Sequence, residues 1–183
     1  MRGSAEASTR IAIHYPVATN LTAVPYASTS LTDVICYNAS MFVTVMKAYG
    51  FVNNRHTIVK LNNPDWIDIE VAIRRMEGEF YTSVNVSQTS DTEENELFTL
   101  TIGGGLDNQY TLSVNFDSKH IVHNLIDPNG SMSEAIDVRI GIEAFEIPLR
   151  EVVTLDVALQ GARTYAERGE LDTSLEWDKT LVI

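Results

Sequence analysis

Three consecutive glycines, Gly103, Gly104 and Gly105, are the first feature of this 183-residue chain that could support chemistry. A glycine-rich loop binds phosphate when its backbone amides face the ligand, and the P-loop form continues into Gly-Lys-Ser/Thr and a helix. Here the next three residues are Leu-Asp-Asn. The triplet is therefore interpreted as a strand end, bulge or hairpin that needs freedom from side chains.

Histidine and cysteine residues are the next candidates, as metal ligands or nucleophiles. His120 and His123 have a spacing that suits two ligands on a helix, but they fall in a predicted strand and should point to opposite faces. Cys36 is the single cysteine and cannot form an internal disulfide; its neighbours Val34 and Ile35 suggest a buried thiol. The sequence therefore predicts no metal site and no cofactor.

Carboxylates are abundant, with 25 Asp and Glu residues. Acid–base catalysis of the glycosidase type needs two carboxylates at a set distance, one with its pKa raised by burial. The acids of this chain fall mostly on predicted turns and polar helix faces, which is typical of solvated groups. There is no Gly-x-Ser-x-Gly elbow and no known cysteine-nucleophile signature. The chain is expected not to be an enzyme, although an unrecognised carboxylate site stays open as an alternative.

The charge of the chain is strongly uneven. Its formal net charge is −12. Residues 1–60 hold five basic and two acidic residues, a net of +3, which leaves eight basic and 23 acidic residues, a net of −15, for residues 61–183. Such a surface repels nucleic acid and speeds encounter with basic partners, so direct nucleic-acid binding is not expected. The alternative is that the acidic excess serves only solubility.

The sequence contains no apolar run of about 18 residues that could span a membrane. The start of the chain, Met-Arg-Gly-Ser, lacks the apolar core of a secretory signal and could be an expression-vector remnant. A single cysteine agrees with a reducing compartment. The expected location is therefore the cytoplasm, without membrane association.

The first 60 residues give weak structural signals. Residues 10–15 and 21–26 are predicted as extended segments. Residues 38–49 are predicted as a helix capped by Asn38 and stopped by Gly50, although their β-branched content also allows a strand.

From residue 61 onward the pattern is clearer. Asn63 before Pro64 predicts a helix start, with a buried stripe and a stop at Gly78. Short connections between the strands indicate an α+β fold, in which an antiparallel β-sheet meander packs against two or three helices. The predicted stripe is Trp66, Ile69, Ile73 and Met76, and the predicted strands are residues 55–61, 80–86, 97–102, 109–116, 120–126 and 135–145.

The last thirty residues form the clearest unit. An amphipathic helix follows Thr154, which can cap it, and ends at Gly169, which supplies a left-handed residue. A short strand at 174–178 then carries Trp177. This unit contains no residue pattern typical of catalysis or metal binding. Its apolar helix face predicts packing on a core and consists of Leu155, Ala158, Leu159, Ala162, Tyr165 and Ala166.

This tail resembles the C-terminal signature of the first-numbered family of bacterial polymorphic-toxin immunity proteins. The segment 100–112, which includes the glycine triplet, and the strand that follows it to Asp127-Pro128 resemble that family's central hairpin. Together they cover about residues 64–179. We interpret residues 1–183 as one domain, with 61–183 as the immunity-like core and 1–60 as an extension of unassigned role. The matching tail positions are Val153, Ala158, Leu159, Ala162, Tyr165, Gly169 and Trp177.

The resemblance implies a protein that binds and inhibits a cognate bacterial toxin, expected to be a nucleic-acid-directed deaminase or nuclease, by occluding its active site. An anionic loop could occupy a basic substrate groove where phosphate would lie. The residues predicted to do so are Asp91, Glu93, Glu94 and Glu96, with Asp107 as an addition at the next hairpin. A structural or assembly subunit without a toxin partner is the other alternative.

Overall fold

The computed structural model describes residues 41–53, 55–88, 99–116 and 121–181. They form a seven-stranded sheet, a separate two-stranded hairpin and two α-helices. The sheet strands are β1 (Val45–Val52), β2 (Arg55–Asn62), β3 (Tyr81–Ser87), β4 (Thr99–Gly104), β5 (Tyr110–Asn115), β6 (Ile121–Ile126) and β9 (Glu176–Leu181). The hairpin strands are β7 (Ala135–Ile140) and β8 (Glu143–Pro148), and the helices are α1 (Trp66–Arg74) and α2 (Leu155–Arg168). The predicted segments 10–15 and 21–26, and Cys36, lie outside the described residues.

The large sheet is antiparallel throughout, in the order β2-β1-β3-β4-β5-β6-β9. β3 to β6 are neighbours in chain order, as short connections predict. The C-terminal strand extends this meander, because β9 pairs with β6 and places Trp177 opposite Leu125. The predicted α+β class with an antiparallel meander is confirmed, and the described residues contain two α-helices.

The sheet has one apolar and one polar face because side chains alternate along each strand. Val84, Ile102 and Leu112 lie in one register row across β3, β4 and β5, and all three are buried. The adjacent row on the opposite face contains Ser83 and Thr111. The apolar face therefore carries the core.

Both helices cover the apolar face. Ile69 and Ile73 of α1 are fully buried in the same cluster as the sheet residues. α2 approaches the sheet closely at Gly161, where an added Cβ would lie 3.1 Å from the Leu112 side chain. Tyr165 of α2 packs edge-on against Phe42, with ring centroids 5.8 Å apart. No helix among these residues is long and apolar enough to cross a membrane.

The N-terminal end of α1 differs from the prediction. Asp65 is the cap: its carboxylate accepts from the Asp68 amide at 2.9 Å, and the Asp68 carboxylate accepts from the Asp65 amide at 3.1 Å. Two reciprocal bonds satisfy more free amides than the predicted Asn63 cap could. Asn63 instead has φ 51° and donates its amide to the Thr44 carbonyl at 2.7 Å. The helix ends near Arg75, before Gly78.

The helix predicted at residues 38–49 is wrong. Residues 38–40 lie outside the described residues, and the rest leads into β1, which pairs with both β2 and β3. The β-branched content of this stretch suits a strand with a neighbour on each side, where Val45 and Met46 are both buried. Tertiary pairing therefore overrides the helical spacing.

The single strand predicted at residues 135–145 is also wrong. Gly141 has φ 63° and turns the chain, so that β7 and β8 pair as a hairpin with Ile140 opposite Glu143. The hairpin lies on the polar side of the large sheet, because Ile140 fills the space where a Gly103 side chain would be.

Two hydrogen bonds fix this hairpin to β3. The Thr82 hydroxyl donates to the Gly141 carbonyl at 2.8 Å, and the Gly141 amide donates to the Ser83 hydroxyl at 3.0 Å. The turn of the hairpin is thus held at a defined place beside the end of the sheet.

The termini of α2 are partly as predicted. Gly169 ends the helix in the left-handed conformation, with φ 71°. Thr154 occupies the N-cap position, but its side chain makes no capping bond. Instead the Asn108 side chain, from the β4–β5 turn, accepts the Leu155 amide at 3.1 Å. The turn that follows the glycine triplet therefore caps the helix of the C-terminal signature.

Candidate partner-binding site

The predicted site residues fall in two places. Asp91, Glu93, Glu94 and Glu96 lie outside the described residues. Asp107 lies in the short 3₁₀ turn Leu106–Asn108 between β4 and β5, and its side chain is exposed.

The β4–β5 turn has an unusual backbone. Gly105 has φ 106°, and Asp107 and Asn108 follow with φ 51° and 62°. Asp and Asn tolerate the left-handed region better than most residues, whereas Gly105 also lacks room for a side chain, since a Cβ would lie 2.5 Å from the Met76 carbonyl carbon. The turn is therefore packed tightly on the α1–β3 loop, where Gly78 adjoins the side chain of Leu106. Leu106 and Asp107 are presented outward from a fixed backbone.

A cavity of about 630 Å³, the hairpin groove, opens beside this turn. Its walls come from β1, the α1–β3 loop, the β4–β5 turn and the β7–β8 hairpin. Phe80 and Leu106 supply apolar surface, and both are about half exposed, at 52% and 53%. Large apolar side chains exposed at a cavity are typical of contact surfaces. The residues that line the groove include Phe51, Glu79, Phe80, Leu106, Asp137 and Arg139.

The charge of the hairpin groove is acidic on balance. Glu79 and Asp137 line it, Asp107 adjoins it at Leu106, and Arg139 is the cation of the lining. In the described part of the chain, none of these three carboxylates makes an ion pair or a side-chain hydrogen bond. They remain available to a basic partner.

A second feature adds to this charge. Asp137 of β7 lies directly opposite Glu146 of β8. Like charges at directly opposed positions of an antiparallel pair destabilise it. A cation bound beside the hairpin would reduce that repulsion.

Glu151 and Asp178 form a carboxylate pair elsewhere on the molecule. Burial raises the pKa of Glu151, the negative charge of Asp178 raises it further, and Arg150 opposes the shift. Arg150 also pairs with Asp178 at 3.4 Å. The pair lies outside the hairpin groove. Among the described residues, no group of three or more His, Cys, Asp and Glu side chains could hold a metal ion.

The C-terminal unit is held together by Asp172. Its carboxylate accepts from the Ser174 amide at 2.9 Å and hydroxyl at 2.6 Å, and from Thr164 of α2 at 2.9 Å. These hydrogen bonds, of which the one from the Ser174 hydroxyl has the largest effect, lower the pKa of Asp172 to about 2. The Trp177 indole donates to the Asp172 carbonyl at 3.1 Å. The helix and strand of the signature are thus joined structurally.

Comparison with known protein families identifies the family of this chain. A family model described as Immunity protein Imm1 matches residues 62–179, well over half of the chain. The chain belongs to the Imm1 immunity-protein family. The match runs from the end of β2 into β9, and it confirms the family resemblance expected for residues 64–179. No curated protein matches the chain.

The groove residues were missed by sequence reasoning, apart from Asp107 at its edge. Leu106 was a usable signal in the sequence, because an apolar residue directly after the glycine triplet, in a predicted turn between strands, is expected to be exposed. Glu79, Phe80 and Asp137 gave no comparable signal. These residues lie close together only because the chain turns at Gly141, and the sequence analysis predicted a continuous strand through that position.

Proposed function

We propose that this Imm1 family member binds a cognate bacterial toxin and inhibits it by occluding the toxin's active site. Family membership over residues 62–179 is the observation that carries the proposal. The toxin in this proposal is a nucleic-acid-directed deaminase or nuclease, the class that the family resemblance implies, and the net charge of −12 would complement the basic substrate groove of such a toxin. The protein acts in the cytoplasm as a stoichiometric binder, not as an enzyme, and contacts the toxin rather than nucleic acid.

Two acidic segments are the proposed toxin contacts. Asp91, Glu93, Glu94 and Glu96 place four carboxylates within six residues of sequence. Asp107 adds an exposed carboxylate on a fixed turn. Carboxylates presented in this way would take the positions of substrate phosphates and steer the encounter electrostatically.

Growth rescue tests the function directly. A candidate toxin, sought among the genes that adjoin the gene for this chain, is expressed with and without the immunity protein in a sensitive host. Co-expression should restore growth, and purified immunity protein should abolish the toxin's activity on nucleic acid at a 1:1 ratio. Continued killing with both proteins folded would reject the proposal in favour of an assembly subunit without a toxin partner.

Charge reversal tests the acidic segment 91–96. Replacing its four acids by lysine should weaken toxin binding by at least 100-fold at low salt, since several charge pairs are inverted at once. A matched variant reverses four exposed acids elsewhere and should retain most of the affinity. The control residues are Glu134, Asp156, Glu170 and Glu176. Equal losses in both variants would reject a local contact and leave only a general effect of net charge.

A further inference from the structure

The hairpin groove has the properties of a preformed docking surface. Phe80 and Leu106 are exposed, yet neither is on a loosely held loop. The Phe80 carbonyl accepts the Phe51 amide at 2.7 Å, and Leu106 packs beside Gly78. Apolar side chains on a backbone that is already fixed need less ordering when a partner covers them.

The charges around the groove select the kind of partner. Glu79, Asp107 and Asp137 give three carboxylates against the one guanidinium of Arg139. Asp137 also faces Glu146 across the hairpin. A second copy of this acidic chain would bring like charges together here, whereas a basic segment would be attracted and would relieve the opposed carboxylates.

We propose that the hairpin groove receives a segment of the toxin that carries a Lys or Arg beside an aromatic or aliphatic side chain. The apolar side chain would lie against Phe80 and Leu106, and the cation would lie toward Glu79 and Asp137. This inference rests on the proposed function and concerns residues other than those of the 91–96 segment.

Binding of single-site variants tests the apolar contact. The probe is the candidate toxin that passes the growth-rescue test, inactivated by substitution and titrated against the full-length chain by calorimetry. Leu106→Ser should raise Kd at least 10-fold, because a central apolar anchor is lost. Ile67→Ser is the matched control, since Ile67 is an exposed aliphatic residue on α1, at 69% exposure. Its Kd should change less than 2-fold.

Binding of charge variants tests the cation. The double variant Glu79→Gln/Asp137→Asn should raise Kd about 10-fold and reduce the salt dependence of binding. Arg139→Gln should leave Kd unchanged or lower it, because it removes the like charge from the site of a bound cation. A matched neutral control, Glu134→Gln/Glu170→Gln, removes two exposed acids outside the groove.

Hydrogen exchange identifies the segment itself. The toxin segment protected by the wild-type chain, and unprotected by the Leu106→Ser chain, should contain Lys or Arg within two residues of an apolar side chain. Circular dichroism and thermal melting verify that each variant is folded, and Phe80→Ser serves as a second apolar variant.

The outcomes separate the groove from the function. If the wild-type chain binds the toxin and the Leu106, Phe80 and double acidic variants bind it with the same Kd, the groove proposal is overturned and the proposed toxin inhibition stands. A protected toxin segment without a basic residue would overturn the assigned chemistry. If the chain forms a dimer without the toxin and Leu106→Ser dissociates that dimer, the groove belongs to a second copy of the chain and the proposal is overturned. Absence of both wild-type binding and growth rescue would overturn the function and the groove together.

Discussion

Replacing Tyr165 by Phe should stabilise the protein. The Tyr165 side chain is fully buried, and its hydroxyl has no hydrogen-bond partner in the described part of the chain. A buried hydroxyl without a partner costs about 1–3 kcal/mol relative to water. Phenylalanine removes this cost while keeping the ring contacts with Phe42 and Phe116, at 5.8 and 6.1 Å. The expected gain is about 1 kcal/mol in the free energy of unfolding.

Urea unfolding at neutral pH measures this gain. With a denaturant slope of about 2 kcal/mol/M, a gain of 1 kcal/mol shifts the midpoint upward by about 0.5 M. Tyr81→Phe is the matched control, because the Tyr81 hydroxyl accepts from Arg75 at 2.9 Å. Its loss should lower the free energy of unfolding by about 0.5 kcal/mol or less, since the bond is exposed.

An alkaline titration tests the same cause independently. Burial raises the pKa of Tyr165 above its ordinary value. A raised pKa in the folded state means that the unfolded chain loses its proton first as pH rises above about 10, so stability falls there. Tyr165→Phe removes this effect, and its advantage over wild type should widen above pH 10. A variant that is less stable than wild type by 1 kcal/mol or more would show that the hydroxyl is satisfied and refute the reasoning.

Three further substitutions probe the C-terminal unit. Asp172→Asn should destabilise the protein above pH 4. The difference from wild type should shrink as pH falls toward 2, because the Asp172 carboxylate, with its lowered pKa, contributes stability only while it is charged. Unfolding measured at pH 6, 4 and 2.5 checks this. Gly169→Ala should cost about 1–3 kcal/mol in thermal unfolding, since φ is 71° and a Cβ would lie 2.6 Å from Phe42. Asn108→Ala should cost about 1 kcal/mol in urea unfolding through loss of the α2 cap.

Local patterns in the sequence predicted much of the fold. The alternation of Tyr110, Leu112 and Val114 predicted a half-buried strand, and all three are buried on β5. The spacing of the C-terminal helix and Gly169 predicted α2 and its end within one residue. These elements were accessible because their hydrophobic period and their termination signals lie within the element itself.

Other elements depended on partners distant in sequence. β1 was predicted as a helix because its spacing allowed one, but its strand is fixed by pairing with β2 and β3. The cap of α2 was assigned to the adjacent Thr154, whereas Asn108 supplies it from 47 residues away. Sequence windows contain no signal for bonds of that kind.

The candidate site was predictable only at its edge. Asp107 could be recognised as an acid at a turn. The hairpin groove combines that turn with the α1–β3 loop and with the β7–β8 hairpin, which hydrogen bonds at Gly141 hold against β3. Charge and apolar surface become a site only when these separate segments meet.

The signature helix and the groove are connected through one turn. Asn108 caps α2, while Leu106 and Asp107, two residues and one residue earlier, face outward. Gly105 fixes the turn against the α1–β3 loop. Residues 105 and 108 therefore fix the backbone of the turn, and the exposed side chains of residues 106 and 107 are available for contact with a partner. On this basis Asn108→Ala should weaken toxin binding by displacing Leu106, whereas Asp107→Asn, which keeps a residue tolerant of φ 51°, should alter charge alone.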